Sequence, residues 1–129
     1  MTILGVDYGL QRTGLALFEN DTVFELTQLN ENDKYRQVKH IVSLANEYSA
    51  ELVVVGIPPS GNMRKKIEWL QKQLEKENLT VELIDENLTS VQAEHELDQQ
   101  NLSPSEKKNK SDSRSAKLIL QDYLDTITS

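Results

Sequence analysis

Short apolar runs alternate along this chain with longer stretches in which apolar residues recur every third or fourth position, the pattern that separates strands from helices. Thr2 to Asp7 and Gly14 to Phe18 read as two strands, and Glu19-Asn20-Asp21 as the turn into a third, Thr22 to Leu29, with β-branched and aromatic content. Their short links predict an antiparallel meander. Residues 31–48 then place Tyr35, Val38, Ile41, Val42 and Ala45 at helical spacing. Glu51 to Gly56 carries Leu52-Val53-Val54-Val55, the unbroken apolarity of a strand covered on both faces. After a break at Pro58-Pro59-Ser60-Gly61, Met63, Ile67, Leu70 and Leu74 form the stripe of a second helix, and Val81 to Ile84 a short fifth strand. Thr89 and Gln92 have capping-box spacing for a third helix that buries Val91, Ala93 and Leu97. Asn101 to Ser111, with Pro104 and three lysines, reads as a mobile loop, and Ala116, Ile119, Leu120, Tyr123, Leu124 and Ile127 mark a long amphipathic C-terminal helix.

The order β-β-β-α-β-α-β-α-α predicts an α/β fold in which a mixed five-stranded sheet, a three-strand antiparallel meander plus two parallel strands, is flanked by helices. At 129 residues it fits one domain, residues 1–129. The first and fourth strands become neighbours whose connections leave in opposite directions, and ligands sit at such points, outside the C-terminal ends of the strands. Asp7, the loop from Ile57 to Gly61 and the residues after the fifth strand then surround one crevice.

Composition narrows the chemistry. The chain has no cysteine, which excludes a disulfide framework and a thiolate metal site. With Asp7 where a signal peptide needs its apolar stretch, and no apolar run near the ~20 residues of a membrane span, a soluble cytoplasmic protein with no membrane partner is expected. A formal net charge of −7 argues at first against nucleic acid, yet residues 58–66 and 102–117 each carry +3 while residues 67–101 carry −7. The positive charge lies in Arg64-Lys65-Lys66 and in Lys107, Lys108, Lys110, Arg114 and Lys117. A polyanion could be gripped there while the acidic remainder faces away.

Asp7 ends a buried strand, where a carboxylate is costly to desolvate without a partner, and Gly9 would let a phosphate or metal approach the backbone. Asp112, four residues before Ala116, shares a helix face with Ile119, Leu120 and Tyr123, although Ser111, Asp112 and Ser113 are also good N-caps. Glu86 follows the fifth strand beside Asp85. Three such acids are the raw material of a two-metal phosphodiester-cleaving site, and carboxylates suit Mg²⁺ or Mn²⁺. His40 and His95 lack the spacing of a zinc pair. Trp69 lies about half a turn from the stripe of its helix, so its ring is expected at the surface, where a tryptophan favours self-association or a protein partner.

Gly5-Val6-Asp7-Tyr8-Gly9 with Arg12 and Gly14, Val53-Val54-Val55-Gly56-Ile57-Pro58, Ile84-Asp85-Glu86-Asn87-Leu88-Thr89-Ser90, and Asp112 with Ser115-Ala116 to Leu124 resemble, in order, the motifs of YqgF/RuvX-type proteins. These are ribonuclease-H-like nucleases related to Holliday junction resolvases and associated with pre-16S rRNA processing. The resemblance implies that Asp7, Glu86 and Asp112 are the metal-binding catalytic acids of a nuclease and that Arg12 contacts substrate phosphate. RNA is favoured over branched DNA as the substrate. The chain departs from the family in its short Pro58 to Asn62 loop, in Asn87 where an arginine is common, and in Ser115-Ala116 where the family has an alanine pair. Asp-x-Gly before a glycine hairpin also resembles the phosphate loop of actin-like ATPases, so a nucleotide-binding or catalytically dead interaction module is the alternative of another class.

Overall fold

The computed structural model describes residues 1–85 and the backbone of 104–128, with side chains in the second segment described from Arg114 onward. Glu86, His95 and the helix expected after Thr89 lie outside the described residues. Strands β1 (Ile3–Asp7), β2 (Arg12–Glu19), β3 (Thr22–Glu25) and β4 (Leu29–Asn30) come first, then helix α1 (Lys34–Glu47), β5 (Leu52–Ile57), α2 (Asn62–Lys76), β6 (Val81–Asp85) and α3 (Pro104–Thr128). The main sheet runs β3-β2-β1-β5-β6, with β4 attached to β2. β1 is antiparallel to β2 and parallel to β5, which is parallel to β6. The mixed sheet is therefore as expected, except that the third strand is divided.

That division is a bulge. Ala16 pairs with Glu25 and Thr13 with Leu29, so Leu26, Thr27 and Gln28 oppose only Gly14 and Leu15. One surplus residue cannot stay in register, and the ladder resumes beyond it as β4. Asn20 and Asp21, at φ 53° and 61°, make the left-handed two-residue turn between β2 and β3 that matches the twist of the strands.

Side chains of the sheet alternate between two cores. Leu4, Val6, Tyr8, Leu15, Leu17, Val53, Val55 and Ile57 pack with Ile41 and Ala45 of α1 and Ile67, Leu70 and Leu74 of α2. Ile3, Ala16, Leu52 and Val54 pack on the other face against Ala116, Ile119 and Leu120 of α3. β5 is buried throughout because both faces are covered.

Two helices differ from expectation. In α1 the expected stripe is displaced: Tyr35 is 65% exposed, whereas Gln37 is buried. Asp33 caps this helix, its carboxylate accepting from the backbone N–H of Tyr35 and Arg36 at 2.9 and 3.0 Å. The last helix begins at Pro104, so the expected loop up to Ser111 is helical from that residue on. Proline at the first helical position has no N–H to lose, and no glycine or further proline follows to break the helix. Asp112 is consequently an interior residue of α3, and the N-cap reading is corrected.

Candidate active site

Asp7 is the last residue of β1 and is half-buried. Strand alternation puts its side chain on the face of Ile3 and Gly5, beneath α3. Gly5 fixes how α3 crosses: a Cβ there would lie 2.5 Å from Leu120 Cγ and 3.1 Å from the Ala116 carbonyl oxygen. Only a residue without a side chain admits the helix this close. The same helix meets Ile3 and Leu52, at the starts of their strands, with Ile119, Leu120, Tyr123 and Leu124. The Tyr123 phenol also reaches Glu82 near the start of β6; burial and this carboxylate hold it above its ordinary pKa. α3 therefore runs antiparallel to β1, its N-terminal turns pointing toward the C-terminal end of that strand.

A strand advances about 6.6 Å from residue 5 to 7, and a helix about 6 Å over four residues. The helical turn that carries Asp112, one turn before Ala116, is thereby level with Asp7. Its side chain, like Glu86, lies outside the described ones. Among the described residues no three of His, Cys, Asp and Glu cluster as metal ligands. Asp7 is the described member of the expected trio. An oxygen-only set of Asp7, Glu86 and Asp112 fits a hard divalent ion, Mg²⁺ or Mn²⁺.

The loop after Asp7 is held from the opposite face. Tyr8 turns away from Asp7 into the α1–α2 core, where its hydroxyl donates to Gln37 Oε1 at 2.7 Å. Gln37 Nε2 faces the carbonyl oxygens of Glu31, Gly9 and Leu10 at 2.6, 3.0 and 3.3 Å. One buried amide so ties the start of α1 to the β1–β2 loop. Burial pushes the Tyr8 phenol above its ordinary pKa. Gln37 was not among the expected site residues, and a polar residue within a helix gives no periodic signal of such a role. Gly9 is explained by the chain itself, since a Cβ there would lie 2.2 Å from the Arg12 carbonyl oxygen. The glycine serves the turn.

Arg12 shares the Asp7 face, because its strand neighbour Gly14 pairs with Asp7. Its Nη1 is buried with no hydrogen-bond partner among the described residues, beside a groove of about 520 Å³ lined by Gln11, Arg12, Asn30, Glu31 and Asn32. A guanidinium nitrogen left so is placed to receive an anion. Arg64 has work within the protein, donating to the Pro58 carbonyl at 3.1 Å and lying 3.9 Å from Glu68. Lys65 and Lys66 are exposed. Lys107, Lys108 and Lys110 ride on the first turns of α3, with side chains outside the described ones, and Arg114 follows them, half-buried. Trp69 does not project to the surface as expected. It is half-buried, edge-on to Tyr35 with ring centres 5.7 Å apart, and Lys34 Nζ lies 4.8 Å from its ring centre. His40 is exposed on α1.

The RuvX family, described as "Holliday junction resolvase", has a model that matches residues 1–126. The chain belongs to the RuvX family. It is 35% identical over 133 aligned residues to a protein of Trichormus variabilis named "Putative pre-16S rRNA nuclease", covering 97% of this chain and 88% of the relative. A Clostridium botulinum protein of the same name is 31% identical, with 99% of both chains covered. In three dimensions this RuvX-family chain is similar to the fowlpox virus Holliday junction resolvase, TM-score 0.63 at 16% identity, covering 98% of this chain and 99% of that one. It is also similar to Thermus thermophilus RuvC, TM-score 0.62 at 14% identity, covering 99% and 98%. At such identities the likeness shows the fold alone, that of the ribonuclease-H-like resolvases. No described helix is long and apolar enough to cross a membrane.

Proposed function

We propose that this RuvX-family chain is a divalent-metal-dependent endonuclease that hydrolyses RNA phosphodiester bonds, acting in the cytoplasm on a precursor of 16S rRNA. The observation that carries the reading is the close approach of α3 to β1 at Gly5, from which the rise of strand and helix brings the Asp112 turn level with Asp7. Asp7, Glu86 and Asp112 would hold the metal. When bound it lowers the pKa of a water and offsets charge on the phosphorane-like transition state. Asp7, fixed at a strand end between two packed cores, holds its carboxylate in place without reorganising. Arg12 on the same face binds and orients a phosphate, and the lysines of α3 retain the flanking strand.

The test uses labelled single-stranded RNA containing the end of a 16S precursor, with and without Mg²⁺ or Mn²⁺. Wild-type protein should cleave only with metal, and Asp7→Asn, which removes charge and little volume, should abolish cleavage while the thermal melt stays cooperative. Wild-type rates in pure Asp7→Asn would sink the assignment. Branched DNA is the second reading, favoured by the family's description as a resolvase. Paired cuts across a four-way junction, with RNA left intact, would select it.

A further inference from the structure

Directly behind Asp7, on the other face of the sheet, Tyr8 and Leu10 open into a cavity of about 490 Å³ between the N-terminal turns of α1 and α2. Its wall carries the Trp69 ring and three lysines, Lys34, Lys65 and Lys66, and among the described residues no carboxylate lines it. In a chain of net charge −7 this is an unusual concentration of one sign. Three ammonium groups around one hollow repel each other, and an anion entering it relieves that repulsion. Trp69 supplies the second half of the chemistry. Its ring stands edge-on to Tyr35, and Lys34 Nζ lies over both rings, 4.8 and 5.3 Å from their centres, so a base that stacks there takes the place of this ammonium, which then pairs with the phosphate. A rigid aromatic face bordered by cations is how single-stranded nucleic acid is held without regard to sequence: bases stack while the backbone follows the positive charge. The volume falls in the range of about 300–1,000 Å³ typical of small-ligand pockets, enough for a stacked nucleotide.

We propose that this cavity is a stacking subsite for one unpaired nucleotide of the substrate strand, with the base on Trp69 and its phosphates on Lys34, Lys65 and Lys66. The proposal rests on the nuclease reading above. It adds that the substrate is single-stranded beside the cut, because a base held in a duplex cannot reach the ring. Tyr8 and Asp7 are consecutive residues on opposite faces, so a strand leaving Asp7 passes over the end of β1 into the cavity.

Trp69 is the chain's single tryptophan, so its emission reports on this site alone. The full chain in EDTA is titrated with an eight-nucleotide oligouridylate and with an abasic ribose-phosphate strand of equal length, and affinities are measured in parallel by calorimetry. Oligouridylate should quench the emission saturably, and the abasic strand should bind about 5- to 100-fold more weakly without quenching. Trp69→Ala should lose that same factor for oligouridylate and nothing for the abasic strand, whereas Trp69→Phe should recover most of it. The comparison of the two strands on the wild-type chain stands whether or not Trp69→Ala folds. Equal affinity for both strands with unchanged emission overturns the subsite and leaves the nuclease reading intact, since that reading is judged by metal-dependent cleavage and Asp7→Asn. Failure of the oligouridylate to bind overturns the subsite as well, and joined with absent cleavage it removes both. An emission change that follows protein concentration without nucleic acid assigns Trp69 to a contact between copies of the chain and refutes the proposal.

Discussion

Replacing Gly5 by alanine adds one methyl group, and its effect on stability depends on whether α3 lies where the active-site geometry requires. In an open strand the change would stabilise by about 0.4–1 kcal/mol, through lost freedom of the unfolded chain. Here the new Cβ would stand 2.5 Å from Leu120 Cγ, 3.0 Å from its Cδ1 and 3.1 Å from the Ala116 carbonyl oxygen. Carbon atoms in contact prefer about 3.5–4.0 Å, so the helix must retreat by about an ångström or Leu120 must leave its rotamer. Leu120 is fully buried and has no open direction to take. Overpacking of this kind costs about 1–3 kcal/mol. The clash outweighs the entropic gain, and we expect a net loss of about 1–2 kcal/mol, or a Tm lower by about 4–8 °C for a chain of this size.

Urea and thermal melts of Gly5→Ala, Leu120→Ala and the double variant decide the matter. Leu120→Ala alone should cost about 2–5 kcal/mol through the cavity it leaves. In the double variant the methyl group added at Gly5 enters part of that cavity, so the combined loss should fall short of the sum by at least about 1 kcal/mol. Gly5→Ala as stable as wild type, or strictly additive losses, would show that α3 does not cross at Gly5. In the nuclease assay a helix displaced by an ångström carries Asp112 with it, and a rate loss of about 100-fold is expected from Gly5→Ala in folded protein.

Gln37→Leu should cost about 2–3 kcal/mol in urea melts, since it leaves the Tyr8 hydroxyl and the Gly9, Leu10 and Glu31 carbonyls without their amide; neutrality would mean that water replaces it. The Tyr8 phenol is raised by burial, so the folded state holds this proton more tightly than the unfolded state, and stability present below pH ~10 falls as pH rises through the folded pKa. Melts from pH 8 to 11 should show a shallower alkaline fall in Tyr8→Phe, and identical slopes would refute the assignment to Tyr8. Arg12→Gln should weaken RNA binding and reduce the slope of log K against log salt by about 0.7, since its Nη1 has no hydrogen-bond partner among the described residues; an unchanged slope would remove Arg12 from the phosphate path.

The strands and the Ile67, Leu70, Leu74 stripe of α2 were legible because each is a local periodicity enforced by burial. The place of Asp7 at a strand end was legible because it closes an apolar run. The bulge at Leu26 to Gln28 was not, since one surplus residue shows only when the partner strand is known. Gln37 was hidden for a related reason: its burial depends on four groups brought to it by the β1–β2 loop and Glu31, none recorded in the helix itself. The first turns of α3 look like a loop by composition, with Pro104 and three lysines, yet proline starts helices and lysine is a good helix former. Correcting that moves Asp112 from a cap to an interior position, which removes the capping task as a reason for a carboxylate there.

The sign of the net charge and the proposed partner are reconciled by where the helices begin. α2 begins just beyond the C-terminal end of β5, α1 begins beside the β1–β2 loop that Gln37 ties to it, and α3, antiparallel to β1, brings its N-terminal turns to the same end of the sheet. Lys34, Lys65, Lys66, Lys107, Lys108 and Lys110 all lie in the opening turns of these three helices. Each helix start adds the partial positive charge of its free N–H groups. The end of the sheet that holds Asp7 thus carries a ring of lysines, set among the acids Glu31, Asp33 and Asp85. Screening confines the repulsion of the distant acids to about 8 Å at physiological salt, so an approaching polyanion feels the ring and not the total.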